Sequence, residues 1–217
     1  MKTSQTSPLL ALCGAALSLP TISATQPVQT EISIKTSSYE ERDLSERDVV
    51  VGATERYDID INQFRLLAPV SRAWSLGVDI SREIMSGASP WGTVAGVDGE
   101  ASLIMSGATI REKRTEVSLS ATYYGQDASY SVGLIRSEEN DYDATAIRLG
   151  GEWDKNNGLS TLSLGFSYSS DDIKPTDADT YGRVAKEDKD AVSASVSWTQ
   201  VLNKASTLQV GAGVTKH

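Results

Sequence analysis

Apolar and polar residues alternate along most of the chain after residue 30. In the clearest run, 160–169, Leu162, Leu164, Phe166 and Tyr168 are separated by serine and glycine. A period of two places the two kinds of residue on opposite faces of a β-strand. Nine such runs lie near 30–38, 55–64, 74–84, 115–124, 130–134, 144–154, 160–169, 192–198 and 208–214. The alternation therefore predicts an all-β protein.

The connections between these predicted strands differ in length. Connections one, three and seven are long and polar, and the even-numbered connections are short, including the turn sequence Asn156-Asn157-Gly158. Connection five, Glu138 to Asp141, is intermediate and is grouped with the long ones. Outer-membrane barrels of Gram-negative cells alternate long outer loops with short periplasmic turns in this way. With the amino end in the periplasm, the pattern predicts an antiparallel up-and-down transmembrane β-barrel in the outer membrane.

The longest connection, Met85 to Arg114, contains a Ser-Gly-Ala motif twice. The motif occupies Ser86, Gly87 and Ala88 and returns at Ser106, Gly107 and Ala108. The residues between are too rich in glycine and small polar side chains for a helix or a core strand, so the sequence predicts one long loop. The motifs either fold inward as a constriction or serve as turns at two strand ends, and we favour turns.

Aromatic residues fall near the ends of the predicted strands, on their apolar face. The predicted periplasmic ends carry Trp74, Tyr123, Tyr130, Trp153 and Trp198, and the outer ends carry Tyr57 and Tyr168. Tryptophan and tyrosine concentrate at both interfaces of a membrane barrel. We therefore predict two aromatic girdles. A soluble two-sheet fold is the alternative, and it leaves both this pattern and the connection lengths to chance.

Composition supports strands that are apolar on one face only. Hydrophobic residues make up 39% of the chain, which contains 17 glycines and only two phenylalanines, whereas a soluble two-sheet core needs more large apolar side chains. The formal net charge of -9 argues against a nucleic-acid partner, because phosphate binding requires a basic surface.

Residues 1–24 have the pattern of an export signal peptide. Lys2 precedes a short apolar run, Pro8 to Leu19, and Ala24 offers a small residue before cleavage. Cys13 is the sole cysteine, and a lipoprotein signal cut before it is the alternative. Residues 25–217 are then the barrel portion, without a thiol. We expect the barrel-assembly machinery to insert it and outer-membrane lipid and lipopolysaccharide to surround it.

Three segments resemble a known family. They are SGASP at 86–90, SGATI with the following REKRTEVSLS at 106–120, and YSSDDIKPTDA at 168–178. Together they resemble the proteobacterial family DUF3570, whose members are predicted outer-membrane barrels. The resemblance implies a longer barrel without an established activity. It also implies a periplasmic redox partner, because such families are associated with thioredoxin-like and flavin-transferring neighbours.

An odd number of strands conflicts with closure of a bacterial barrel. Single-chain barrels close with an even number, and an open strand in lipid exposes unpaired backbone groups. We therefore expect these nine strands to be the amino-terminal part of a larger, even-stranded barrel.

Charged residues on the predicted inner face are the candidate lumen lining. They are Arg56, Asp58, Asp60, Asp79, Glu83, Arg114, Glu116, Arg148 and Glu152. Mixed charges of this kind favour passage of small polar solutes. The alternative is a salt-bridged filling or a wetted wall. A non-conducting scaffold that presents its long loops to a partner is the second functional hypothesis.

An enzyme is the least favoured hypothesis. His217 is the only histidine and lies at the last position, so the sequence offers no nucleophile and histidine pair. Asp58 and Asp60 share a strand face and could act as acid and base, although solvation beside Arg56 is their simpler role. We predict no catalytic residues, no metal cluster and no cofactor.

Overall fold

The computed structural model describes residues 25–88, 90–96, 101–105, 110–176, 178–182 and 184–217. The predicted signal peptide, 1–24, lies outside the described residues, as do Ser106, Gly107 and Ala108 of the second Ser-Gly-Ala motif. Among the described residues, no helix is long and apolar enough to cross a bilayer.

Nine of the strands form one large sheet. These are β1 (Glu31–Glu40), β3 (Asp58–Pro69), β4 (Trp74–Gly87), β7 (Ile110–Tyr124), β8 (Ala128–Glu138), β9 (Tyr142–Lys155), β10 (Ser160–Ile173), β11 (Glu187–Asn203) and β12 (Ser206–Lys216). Their order is β1-β3-β4-β7-β8-β9-β10-β11-β12, and each neighbouring pair is antiparallel. The prediction of nine antiparallel up-and-down strands is confirmed. The sheet is open, with β1 and β12 as its edges.

Connections at the two ends of the sheet differ. We call the end with connections 70–73, 125–127, 156–159 and 204–205 the turn edge, and the opposite end the loop edge. At the turn edge, Asn156 and Asn157 have φ values of 53° and 56°, as a tight hairpin turn requires. At the loop edge, 41–57, 88–109 and 174–186 are long, but the fifth connection, 139–141, is as short as the turns. Grouping it with the long loops was wrong.

The predicted long loop contains two strands, which corrects the prediction of an unbroken loop. β5 (Pro90–Ala95) and β6 (Ala101–Met105) join β2 (Val49–Val51) of the first loop in a three-stranded sheet. β5 and β6 are antiparallel, and β2 and β6 are parallel. Backbone pairing across two loops supplied hydrogen bonds that neither loop's sequence signalled. A 3-10 turn, Glu46–Asp48, and a helical turn, Ala178–Tyr181, complete the loop edge.

Burial in the large sheet is the reverse of that in a soluble fold. Large apolar side chains are exposed, for example Leu119 at 50% and Leu134 at 54%. Small polar residues are buried instead, including Ser75, Ser129, Ser137, Thr161 and Thr199. The apolar residues buried in the described part of the chain are Ala88, Met105, Ile135 and Ala178. The polar face is therefore the enclosed face, and no two-sheet apolar core exists among these residues.

Candidate functional site

The strand register assigns each residue of the large sheet to one of two faces. Directly opposed residues share a face because side chains alternate along each strand. One row across eight strands consists of Ile32, Leu66, Val78, Leu119, Leu134, Ile147, Tyr168 and Val192. A neighbouring row on the other face consists of Glu31, Leu67, Gly77, Ser120, Gly133, Arg148, Ser167, Ser193 and Thr215. We call these the apolar face and the polar face.

The apolar face carries aromatic pairs along the turn edge. The rings of Trp74 and Tyr123 lie 5.3 Å apart, and those of Tyr130 and Trp153 lie 5.7 Å apart. The Trp153 indole N–H donates to the Tyr130 hydroxyl at 3.2 Å. The indole of Trp198 likewise donates to the Ser160 hydroxyl at 2.8 Å. Each ring thus presents an apolar body with a polar tip, as an interface requires.

Aromatic residues toward the loop edge are placed less regularly. Tyr168 lies on the apolar face, and its hydroxyl donates to Asp190 Oδ1 at 2.9 Å. Tyr57 precedes β3. The guanidinium carbon of Arg56 lies 5.8 Å from the centroid of the Tyr57 ring. The assignment of Tyr57 to a girdle on the sheet was therefore wrong. On β4 and β7, the apolar belt extends from the aromatic pairs to Ile80 and Val117. On β8 to β11 the belt ends one row earlier, at Leu134, Ile147, Tyr168 and Val192, because the row of Ile80 continues there as Arg136, Thr145, Ser170 and Asp190.

Small residues line the middle of the polar face. Glycine lies directly opposite serine in three places: Gly77 faces Ser120, Gly150 faces Ser131, and Gly165 faces Ser195. In each pair, a Cβ added at the glycine would collide with the serine hydroxyl. The wall is therefore tightly packed at the backbone but carries short side chains, which leave space in front of it.

Arg114 is the centre of a charged cluster on the polar face at the loop edge. Its guanidinium pairs with Glu116 and lies 3.8 Å from a carboxylate oxygen of Glu83 and 3.5 Å from one of Glu139. The Nε–H also donates to the Ser137 hydroxyl at 3.0 Å. Register explains the cluster, because Glu83 is directly opposite Arg114 across β4 and β7. One cation therefore holds several carboxylates.

Carboxylates outnumber cations around this cluster. Oxygens of Glu112, Glu139 and Asp141 all lie within 4.8 Å of one another. Partial burial raises the pKa of the Glu139 carboxyl, Arg114 opposes this shift, and the charges of Glu112 and Asp141 add to it. Glu112, Glu139 and Asp141 were not predicted from the sequence. Glu139 and Asp141 lie in a connection whose position follows from strand pairing.

The predicted lumen residues divide into two groups. Asp79, Glu83, Arg114, Glu116, Arg148 and Glu152 lie on the polar face, where the alternation predicts them. Asp79 lies 3.7 Å from the guanidinium of Arg65, a residue of the same face that the predicted second strand did not reach. The strand register brings Glu83, Arg114 and Glu116 together. Arg148 and Glu152 lie on β9, separate from this cluster.

Three predicted lumen residues lie elsewhere. Asp58 and Asp60 are directly opposite Ser86 and Ile84, so they are on the other face and exposed. Arg56 precedes β3 and pairs with Glu41 of the first loop. Assigning these three residues to the inner wall was wrong. Ile59 and Ile61 occupy the polar face instead, with Ile59 between Tyr39 and Met85.

Asp58 and Asp60 lie on the outer face because the surroundings of that face change along β3, from the apolar belt to water. Near the turn edge, Phe64 and Leu66 fix the apolar face. Near the loop edge, the first connection is tied to the strand ends by hydrogen bonds from Glu41 N–H to Tyr57 O and from Ala88 N–H to Glu55 O. Ile59 is half-buried, whereas Asp58 and Asp60 on the outer side of β3 are exposed. The first Ser-Gly-Ala motif ends β4 here, and Gly87 has a φ of 127°.

Comparison with known families gives a clear result. The family model described as "Protein of unknown function (DUF3570)" matches residues 9–217. The chain belongs to this family. The resemblance noted in its Ser-Gly-Ala and YSSDDIKPTDA segments is thereby confirmed. No curated protein matches the chain.

One solved structure shows a related fold. It is OmpT of Vibrio cholerae, an in-vitro folded outer-membrane protein in trimer form. Its TM-score is 0.53 at 12% identity, and the match covers 84% of this DUF3570 chain and 54% of that protein. The chain thus spans about half the length of the matched structure. At this identity the likeness concerns the fold alone, which is that of an outer-membrane β-barrel.

The polar face of this DUF3570 chain offers two kinds of surface. The serine hydroxyls in the middle can donate and accept hydrogen bonds with water, and the carboxylates around Arg114 attract cations. Tyr142 adds a hydroxyl that donates to the buried Asp171 carboxylate nearby.

Proposed function

We propose that this chain is part of an outer-membrane β-barrel that passes small polar solutes and prefers cations. The observation that carries the proposal is the separation of the two faces. One face is an exposed apolar belt bounded by aromatic pairs, and the other is an enclosed wall of small polar residues. Lipid on one face and water on the other is the environment that stabilises this arrangement.

Closure of the barrel belongs to this proposal. In a bilayer, the free backbone groups of β1 and β12 would cost several kcal/mol each if unpaired. Further strands between these two edges, giving an even total, would supply the missing hydrogen bonds. The greater length of the matched outer-membrane protein supports this arrangement.

Cation preference follows from the cluster around Arg114. Charged rings at close quarters select ions by the sign of their field. Here Glu83, Glu116 and Glu139 surround a single guanidinium, and Glu112 and Asp141 lie beyond it. Net negative charge on the enclosed face would raise the local concentration of cations.

Conductance in planar bilayers tests the proposal on protein purified from outer membranes. We expect steady current with cation permeability above anion permeability. Glu139→Gln should lower that ratio, because it removes charge from the enclosed face. Glu138→Gln is the matched control, since Glu138 is on the opposite face beside Arg136. A silent, inserted barrel would refute passage, and equal effects of the two variants would refute the assigned cluster.

The small sheet supports a second candidate, a scaffold that presents its loops. Pairing of β2 with β6 joins the first loop to the third. Met105 of β6 is buried, with only 1% of its surface exposed, and it lies next to Gly52 of the first loop. A folded outer unit of this kind suits recognition of a partner. In the conductance experiment, silence together with full membrane insertion favours this candidate.

A further inference from the structure

Three basic side chains lie together on the apolar side of the sheet, just above the belt. Arg82 follows Ile80 of the belt on β4, and Lys113 and Arg111 lie on the adjacent β7. Lys113 is directly opposite Ile84, and Arg111 is directly opposite Ser86. Neighbouring members of this trio, which we call the basic patch, are about 7 Å apart by strand geometry.

The basic patch forms no salt bridge with the described residues around it. All three side chains are exposed. Salt bridges in the described part of the chain involve Arg136, Lys174 and Lys186 along the same edge, but none involves Arg82, Arg111 or Lys113. The nearest carboxylates on this face are Asp60, diagonal to Arg82 across β3 and β4, and Glu138, diagonal to Lys113 across β7 and β8, each about 7 Å away by strand geometry. Neither forms a salt bridge with the patch, and Glu138 pairs with Arg136 instead.

We propose that the basic patch binds the phosphate groups of an outer-leaflet glycolipid. The proposal rests on the membrane assignment made above. Its own support is charge complementarity combined with position. A glycolipid whose phosphates contact Arg82 and Lys113 has its acyl chains beside Ile80 and Val78 of the belt, which belong to the same face. Ile84, 36% exposed between the charges, adds an apolar contact for the sugar or the upper acyl chain.

Arginine and lysine make complementary contributions at such a site. A guanidinium holds phosphate oxygens through paired N–H donors, and an ammonium acts as a mobile point charge. Surface cations at an anionic membrane contribute roughly a fivefold increase in partitioning each. Three of them without internal partners thus give a site that distinguishes phosphorylated from unphosphorylated lipid, although any one contact is weak.

The test compares two triple variants of the membrane-inserted protein. Arg82→Gln, Arg111→Gln and Lys113→Gln together remove the basic patch. The probe is lipid A carrying two phosphates, in phosphatidylcholine vesicles, with dephosphorylated lipid A as the reference. We expect the preference of the protein for the phosphorylated form to fall roughly a hundredfold, which is the product of three fivefold factors.

The matched control removes the same charge from paired positions at the same edge. Arg136→Gln, Lys174→Gln and Lys186→Gln together should leave the preference near that of the unaltered protein, since each cation already has a carboxylate partner. Equal losses in the two triple variants, or retention of the preference without the patch, would overturn the proposal.

A single change guards against misfolding of the triple variant. Lys113→Gln alone should lower the preference about fivefold. Insertion of each variant into vesicles is measured in parallel, with protection from protease as the readout. A protein that fails to insert overturns the membrane assignment and this site with it, whereas an inserted protein that ignores the phosphates overturns this site only.

Discussion

The belt half and the loop-edge half of the same strands obey different rules. In the belt, one face is apolar without interruption from Leu66 to Val192, and the other is mostly serine, glycine and isolated charge, with Leu67 and Ile135 among them. Toward the loop edge, both faces carry charge, with Asp58 and Asp60 on one side and Glu83 and Arg114 on the other. The strands continue unchanged through both halves, so the backbone does not cause the difference.

In the membrane placement proposed above, the environment on each side of the sheet causes this difference. A membrane strand needs an apolar outer face only over the height of the hydrocarbon layer. Beyond that height, water wets the outer face, and folded loops cover part of the inner one. β3 shows the effect within a single strand, because Phe64 and Ile59 are on opposite faces. Each half therefore predicts different responses to mutation.

A cationic substitution in the belt should have the largest effect. Leu164→Arg replaces a side chain that is 46% exposed on the apolar face. In a bilayer we expect destabilisation of about 2–4 kcal/mol. In a water-exposed sheet, the same change would alter the free energy of unfolding by no more than about 0.5 kcal/mol. Unfolding by urea from lipid vesicles measures it.

Ser170→Arg is the control, because Ser170 is on the same face of β10 but beyond the belt. The cost there should be about 1 kcal/mol or less. Equal costs at 164 and 170 would remove the distinction between the two halves.

Loss of the central cation should rank second. Arg114→Ala leaves Glu83, Glu116 and Glu139 without their shared partner at a site that is about two-thirds buried. We expect roughly 1–2 kcal/mol of destabilisation, less than for a fully buried ion pair because water reaches the cluster. Arg136→Ala, in a more exposed pair with Glu138, should cost about 0.5 kcal/mol. Urea unfolding curves of the two variants measure the difference. Equal losses of unfolding free energy would argue against a special role of Arg114.

The face assignment of β3 predicts a smaller contrast. Ile61→Asp places a charge on the half-buried polar face opposite Glu83, and we expect a cost of about 1 kcal/mol. Asp60→Ile, on the exposed side, should be nearly neutral. The same urea titrations compare them. A reversed order would restore the placement of Asp60 inside the barrel.

The smallest effect concerns pH. The pKa of Glu139 is raised above its ordinary value of 4.5, so folding favours the protonated form. The stability that folding gains from the protonated Glu139 carboxyl is fully present below the pKa of the unfolded state, and it is lost as pH rises through the pKa of the folded state. Glu139→Gln should therefore gain stability over the unaltered protein at neutral pH, and the gain should vanish toward pH 4.5. A gain independent of pH would exclude this cause.

Prediction from the sequence succeeded where one rule held along a whole strand. In β10, alternation continues from Leu162 to Tyr168, and the structure places those residues on one face. It failed for Asp58 and Asp60, where a short run of clean alternation lies outside the belt. It also failed for 139–141, because the length of a connection depends on where pairing with the next strand stops.

The sequence by itself determined the number of strands in the large sheet, their antiparallel order, the apolar face of the belt and the family. The strands and the apolar face follow from a period of two and from short turns, and the family follows from the resemblance of the Ser-Gly-Ala and YSSDDIKPTDA segments. All of these are local properties of the chain. Tertiary structure alone decided the faces of β3 near the loop edge, the small sheet of β2, β5 and β6, and the carboxylates gathered around Arg114. Those features depend on register between distant strands, and register is fixed by the burial of whole faces rather than by any single segment.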